Sequence, residues 1–342
     1  MTVQVPAAMQ AAARRYTLDV VNSAGVSNSS SFTVMQSVDV SGTCSTPSPL
    51  GVAIDAPNNL ALVTDIGCND LYLVNLGTGM GQVVAVGTNP EGVAASPAGG
   101  TAVVANTGSS SASIVNDIGA DVTATISTDP NPTGVAIDAG LGDVVTANSG
   151  SNTISLFPLS AATGTAPTSI SVNQAPSAVV TDPSRHTAAV GNLANGNVSL
   201  VDLTQVNGTL VSGNVEIPQG IALDPCGASS CMAGSTANAQ FLIAASLQNE
   251  VVILDQVTGN LTTLRVGINP TSIAYNFETS TLVTTNSLGQ SMTIVDYLSG
   301  QVRSVFRMTP SGQFSVDIHP LTNLAVVSDS ANQRILLLPL PQ

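Results

Sequence analysis

Apolar and polar residues alternate along this chain in short runs, not in the broad arcs of amphipathic helices. Runs of about four to seven residues, rich in Val, Ile, Thr and Ala, are bounded by Gly, Asn, Asp, Ser and Pro. This pattern is typical of short strands joined by tight turns. Helical repeats would need Leu, Glu and Lys at a 3.6-residue period, which the sequence lacks. The chain is therefore predicted to be all-β.

One motif of the form Pro-x-Gly-Val-Ala-x-Asp recurs about every 42 residues. Each copy is followed by a second apolar run that ends in a short polar residue, as in LALVTD to Asp65 and DVVTAN to Asn148. Two further apolar runs complete most units. Four strands per unit at this period indicate a propeller blade, whose faces are buried by stacking on neighbouring blades. The copies begin at Pro49, Pro90, Pro132, Pro176, Pro218, Pro270 and, in a weaker form, Gln313.

The two ends of the repeat region predict how the ring closes. The seventh unit supplies three strands, FSVDI, LAVVS and RILLLPL, and residues 36–42 before the first unit contain one spare strand, SVDV. Pairing this strand with the last blade would remove a free sheet edge. Residues 36–342 are thus predicted to form a seven-bladed β-propeller of four-stranded blades, in which the N-terminal strand completes the last blade.

The repeats resemble the YVTN/NHL-like propeller family. The shared features are the Pro-x-Gly-Val-Ala-x-Asp start, second strands that end in Asn106, Asn148 and Asn286, and third strands such as TIVDYLSG and VILDQVTG. The resemblance covers roughly nine tenths of the chain. It implies the propeller architecture but no particular activity, because propellers serve in binding, scaffolding and catalysis alike.

Residues 1–35 lie outside the repeat and resemble the C-terminal part of an immunoglobulin-like module of the IPT/TIG kind. Half a sandwich cannot bury its inner face, so we expect a partial Ig-like hairpin. We also expect that Met1 is a start imposed on a larger polypeptide. The matching residues are Tyr16, Thr17, Val20, Asn22, Gly25, Ser27, Asn28, Phe32, Thr33 and Val34.

Composition and charge exclude several function classes. The chain has 21 acidic residues against seven basic ones, all Arg, and a formal net charge of -14. Such a surface repels phosphate backbones, so no nucleic-acid partner is expected. No apolar run is long enough to span a membrane. Aromatic residues make up 3% and Trp is missing, which argues against Trp-marked propellers of the WD type.

Four cysteines form two candidate pairs, Cys44 with Cys68 and Cys226 with Cys231. Disulfides are the favoured interpretation. Free thiols are the alternative, and a zinc site would need four converging Cys or His ligands. Disulfides indicate an extracellular, periplasmic or cell-surface protein.

The short polar residues at the repeated turns have a structural interpretation first. Asp55, Asp138, Asp182 and Asp224, with Ser96, Asn276 and His319 in their place in other units, follow strand one, where short polar side chains bond nearby backbone amides. The Asn residues that end strand two, Asn106, Asn148, Asn192 and Asn286, are expected to do the same at the next turn. His186 and His319 are expected to be exposed turn residues without a carboxylate partner, on the face opposite the channel mouth.

The channel mouth, where the inner strands begin, is the default ligand site of a propeller. The residues that flank the anchor prolines should form its polar ring, in which Glu91 is the one carboxylate. A solvated rim that binds only water is the alternative. The predicted ring consists of Asn89, Glu91, Asn131, Thr133, Ser177, Gln219, Asn269 and Thr271.

The leading hypothesis is a non-catalytic, extracytoplasmic binding module for a protein or for a carbohydrate or other small polar ligand. No catalytic motif is present. The alternative is a propeller hydrolase or lyase of the lactonase-like or streptogramin-lyase-like type, which would need two or more of Glu91, Arg185, His186 and His319 in one pocket. No cofactor is required, although calcium is a weak candidate at Asp65, Asn69 and Asp70 because hard cations take oxygen ligands. An ordinary Asx turn is the other interpretation of that loop.

Overall fold

The structure, a computed structural model, describes residues 14–22, 25–34, 36–40, 44–211, 215–225, 239–308 and 314–341. It confirms the predicted all-β fold, in which seven four-stranded antiparallel sheets form a ring. Within the described part of the chain, the helical structure consists of two 3-10 turns, Thr107–Ser109 and Ser330–Asn332. No helix found there is long and apolar enough to cross a membrane.

Two strands precede the ring, and the next one belongs to its last blade. β1 (Arg14–Asn22) and β2 (Gly25–Val34) pair only with each other. β3 (Gln36–Asp39) is followed by blade one, which contains β4 (Pro49–Asp55), β5 (Leu60–Asp65), β6 (Asp70–Asn75) and β7 (Gly81–Ala85). Blade two contains β8 (Pro90–Ala95), β9 (Ala102–Asn106), β10 (Ser111–Asn116) and β11 (Asp121–Ser127).

The next three blades repeat this order. Blade three contains β12 (Pro132–Asp138), β13 (Asp143–Asn148), β14 (Thr153–Pro158) and β15 (Thr168–Ser171). Blade four contains β16 (Pro176–Asp182), β17 (Thr187–Asn192), β18 (Asn197–Asp202) and β19 (Asn207–Val211). Blade five contains β20 (Pro218–Asp224), β21 (Gln240–Ala245), β22 (Glu250–Asp255) and β23 (Leu261–Arg265).

Blades six and seven complete the ring. Blade six contains β24 (Pro270–Asn276), β25 (Thr281–Asn286), β26 (Ser291–Asp296) and β27 (Gln301–Arg307). Blade seven contains β28 (Val316–His319), β29 (Leu324–Asp329) and β30 (Arg334–Pro339). Its fourth strand is β3, which pairs antiparallel with β30 from Gln36 opposite Leu337 to Asp39 opposite Arg334. The predicted closure of the ring is therefore confirmed.

The apolar core lies between blades. Each of seven clusters joins side chains of neighbouring sheets. The cluster at the closing junction combines Val40 beside β3 with Val63 of blade one and Ile335 of blade seven. Because both faces of each sheet pack on a neighbour, the middle strands read as continuous Val, Ala, Leu and Ile runs without the alternation of a half-exposed sheet.

Candidate functional site

The first strands of the blades surround a central cavity of about 970 Å³. One position near the middle of strand one carries a small apolar side chain in six blades and a carboxylate in the seventh. These seven residues, called the belt below, all line the cavity. The belt consists of Ala53, Ala94, Ala136, Val180, Ala222, Ala274 and Asp317.

Glycine in strand one lets neighbouring blades approach closely at the axis. A Cβ atom added to Gly92 would lie 2.6 Å from the carbonyl oxygen of Thr133 in blade three. A Cβ atom added to Gly51 would collide with the carbonyl group of Glu91 in the same way. At Gly51 and Gly92, packing between blades therefore favours glycine.

Six of the eight residues predicted for the channel mouth line this cavity: Glu91, Thr133, Ser177, Gln219, Asn269 and Thr271. Asn89 and Asn131 are not among the lining residues. Both have a left-handed backbone, with φ of 49° and 56°, a conformation that Asn tolerates better than most residues. The N–H of Asn89 also donates to Asn69 Oδ1 at 2.8 Å. These two asparagines therefore shape the connections between blades.

Hydroxyl groups at the mouth bind the ring together. Thr133 Oγ1 donates to the carbonyl of Ser177 at 3.1 Å, and Ser177 Oγ donates to the carbonyl of Pro218 at 3.5 Å. A hydrogen bond from a Ser or Thr hydroxyl to a backbone carbonyl of the following blade exists at every junction. The other five run from Thr64 to Glu91, Thr107 to Pro132, Ser246 to Pro270, Thr285 to Phe314 and Ser328 to Leu50.

Two carboxylates face the cavity. Burial raises the pKa of Glu91 and raises the pKa of Asp317 to about 6. Asp317 accepts the backbone N–H groups of Ile54 at 2.9 Å and Ile318 at 2.8 Å. Glu91 is the one carboxylate of the predicted mouth ring, and Asp317 adds a second carboxylate to the cavity lining at a position where the other repeats have Ala or Val. No Arg or His belongs to the described cavity lining.

The two histidines also differ from expectation. His186 has a carboxylate partner, because its Nδ1 lies 3.3 Å from Oδ1 of Asp138 on the corresponding turn of blade three. His319 is buried, with 3% of its surface exposed, and its Nδ1 accepts the backbone N–H groups of Leu321 and Thr322. Burial lowers the pKa of His319. Neither histidine lines the cavity that contains Glu91.

The turns after strand one follow the predicted chemistry and add contacts between blades. Asp55 accepts the N–H of Asn58 within its own turn at 3.1 Å and that of Gly100 in blade two at 2.8 Å. Asp117 is 2% exposed, and burial together with Asp55 raises its pKa to about 7. Asp117 therefore takes up a proton more readily than an exposed carboxyl does.

The asparagines that end strand two act differently from the prediction. Their side-chain amides donate to hydroxyls on strand three, seven residues further on, and do not cap a turn. The sequence indicates these bonds, because a Ser or Thr follows each of these asparagines after seven residues. The bonds are Asn106 to Ser113, Asn148 to Ser155, Asn192 to Ser199 and Asn286 to Thr293, each 3.0 Å.

The turn between β5 and β6 contains the candidate cation ligands and a disulfide. A carboxylate oxygen of Asp65 and one of Asp70 lie within 4.8 Å of each other. Burial and the neighbouring Asp65 raise the pKa of Asp70 to about 6. Asn69 Oδ1 already accepts from Asn89. Cys68 forms a disulfide with Cys44, with a Cα separation of 5.8 Å, which confirms that pair. Cys226 and Cys231 lie outside the described residues.

Comparison of the sequence with protein-family models and with curated proteins finds no match. Among solved structures, the chain is similar to one titled hydrazine synthase, from Kuenenia stuttgartiensis. The TM-score is 0.71 at 16% sequence identity, and the alignment covers 87% of this chain and 97% of the other. At this identity the similarity supports the propeller fold and no shared activity.

Proposed function

We propose that this propeller is a non-catalytic binding module that takes a small polar ligand into the mouth of its central channel. The observation that carries the proposal is the lining of the cavity, which combines apolar side chains with polar groups and two carboxylates. Pockets that combine an apolar wall with a few polar groups are the usual form of a ligand site. Because the described lining is acidic, neutral or cationic ligands such as carbohydrates fit better than anions.

The distribution of the charged side chains supports binding over catalysis. Of the four residues that an enzyme of the lactonase-like or streptogramin-lyase-like type would bring together, Glu91 alone lines the cavity. Arg185 instead pairs with Asp182 at 3.2 Å, and His186 pairs with Asp138. General acid and base catalysis needs groups within hydrogen-bond reach of one substrate.

The proposal extends to the class of repeat and to the compartment. The YVTN/NHL-like repeat pattern and the IPT/TIG-like residues 1–35 are typical of modular surface proteins, and the Cys44–Cys68 disulfide favours an oxidising environment. We therefore assign the chain to an extracellular, periplasmic or cell-surface protein, with a carbohydrate or a protein as its partner.

A direct test is binding of neutral oligosaccharides, measured on a glycan array and by saturation-transfer NMR. Ala136→Phe, which places a large side chain at the cavity wall, should abolish binding, and Glu91→Gln should weaken it. Val305→Phe, a change at an exposed outer-strand residue, serves as the matched control. Binding that survives Ala136→Phe would place the ligand on the outer surface and refute the channel site. Hydrolysis of simple lactones that depends on Glu91 would favour the enzyme.

A further inference from the structure

The residue at the end of strand two lies opposite the residue at the start of strand three, and this pair is complementary in blades two, three, four and six. The pair is Asn106 with Ser111 in blade two, Asn148 with Thr153 in blade three and Asn286 with Ser291 in blade six. In blade four it is Asn192 with Asn197, joined by an amide hydrogen bond of 2.9 Å. Each of these pairs matches a donor with an acceptor.

Blade seven has a carboxylate at this position and supplies a cation for it. Asp329 lies opposite Arg334, and the guanidinium Nε donates to Asp329 Oδ2 at 2.9 Å. A buried carboxylate needs a positive charge or several donors to remain ionised. Arg334 provides that charge within the sheet.

Blade one breaks the rule, because Asp65 lies opposite Asp70. Oδ1 of Asp65 accepts the backbone N–H of Ser48 at 2.8 Å and those of Gly67 and Cys68 at 2.9 and 3.1 Å. In blade two, Asn106 Oδ1 accepts the N–H of Gly87 in the equivalent way, which leaves its Nδ2 to donate to Ser111 and Ser113. Asp65 has an acceptor, Oδ2, at the position where Asn106 has the donor Nδ2.

Each carboxylate of the blade-one pair is buried and has one oxygen without a hydrogen-bond partner. Asp65 is fully buried and Asp70 is 8% exposed. Oδ2 of Asp65 and Oδ1 of Asp70 are buried without a hydrogen-bond partner, and the two groups lie within 4.8 Å of each other. Two oxygens at this separation can both reach a Ca²⁺ ion, whose Ca–O distances are about 2.3–2.6 Å.

We propose that Asp65 and Asp70 bind a divalent cation, with Ca²⁺ as the best match, in the place that the guanidinium of Arg334 takes in blade seven. Carboxylate oxygens and water suit a hard cation, whereas the sulfur of Cys68 is already bonded to Cys44. Asn69 contributes indirectly, since its Oδ1 holds the N–H of Asn89 on the connection that leads to Glu91. The ion would therefore fix the loop beside the channel mouth.

The test uses the full chain, freed of metal with EDTA and titrated with CaCl₂ and MgCl₂ by calorimetry and thermal melting. We expect one Ca²⁺ per chain and a rise in Tm of about 4 °C at roughly 100 times the Kd. The double variant Asp65→Asn/Asp70→Ser recreates the pair found in blades two and six, so it should fold and lose both responses. Asp329→Asn, the matched change in blade seven, should keep them.

Three results would overturn the proposal. One is the lack of heat and of a Tm shift up to roughly 10 mM CaCl₂ or MgCl₂, well above the about 1 mM Kd of the weakest extracellular calcium modules. Another is an equal Ca²⁺ response in the double variant, which would place the ion elsewhere. A loss of the response in Asp329→Asn would make it a general effect on stability.

Discussion

The closing strand predicts a large difference between two N-terminal deletions. Removing residues 1–34 takes away β1 and β2, which pair only with each other, and should leave the ring unchanged. Removing residues 1–42 also takes away β3 and Val40. β30 then loses its antiparallel partner, and the apolar cluster between blades seven and one is opened.

The size of the effect follows from the contacts of this segment. Val40 is 1% exposed, and burying it with the partly buried Val38 contributes about 3 kcal/mol. Uncovering part of Ile335 and Leu337 costs about another 3 kcal/mol. The backbone pairing, including Val40 N–H to Gln333 at 3.0 Å, contributes about 4 kcal/mol, while ordering the segment costs roughly 6 kcal/mol. The net loss is about 4 kcal/mol, or about 6 °C in Tm for a ring of this size.

Thermal melting followed by circular dichroism measures the difference, with the full chain as reference. Val40→Ala is a milder variant that keeps β3, and we expect it to cost about 2 kcal/mol, or about 3 °C. It also tests the same apolar contact if the longer deletion does not fold. Melting of both deletions within about 1 °C of each other, together with an unaffected Val40→Ala variant, would refute the role given to β3.

Three further predictions concern the disulfide, the glycine at the axis and a buried carboxyl. Cys44→Ser should cost about 3 kcal/mol because the Cys44–Cys68 bridge closes a loop over a sequence separation of 24; a Tm that does not respond to reductant would contradict this. Gly92→Ala should cost roughly 1–3 kcal/mol by driving a Cβ into Thr133, and an unchanged urea midpoint would count against it. The folded-state pKa of Asp117 is about 7, above the unfolded value of 3.8, so the folded protein binds more protons and its stability should fall as pH rises from about 4 to 7. Asp117→Asn should flatten that decline in Tm, and an identical pH profile would show that Asp117 does not cause it.

The architecture could be predicted from the sequence because each blade repeats the same local pattern. The anchor prolines gave the strand starts, and the missing fourth strand of the last unit identified β3 as its replacement. These inferences depend only on spacing within a repeat.

The site was predicted less completely, because its details depend on contacts between repeats. Asp138 and His186 are 48 residues apart in sequence, and they meet because equivalent turns of adjacent blades lie side by side. The repeat pattern does not predict a functional role for Asp317, because the other copies have Ala or Val at this position. Comparison of the seven copies position by position would have revealed both Asp317 and the unmatched Asp65–Asp70 pair.

The bond that closes the ring has a consequence for how the chain folds. Ser328 donates to the carbonyl of Leu50 across 278 residues of sequence, and β3 completes a sheet whose other strands are the last of the ring to be synthesised. Blades one to six can form in order as the chain leaves the ribosome, since each is built from consecutive strands. Blade one, however, keeps one apolar face open until residues near 340 emerge. Such an intermediate exposes a sheet face and strand edges that invite pairing with other chains. Synthesis of blade seven is therefore the step that covers this sheet face and these strand edges.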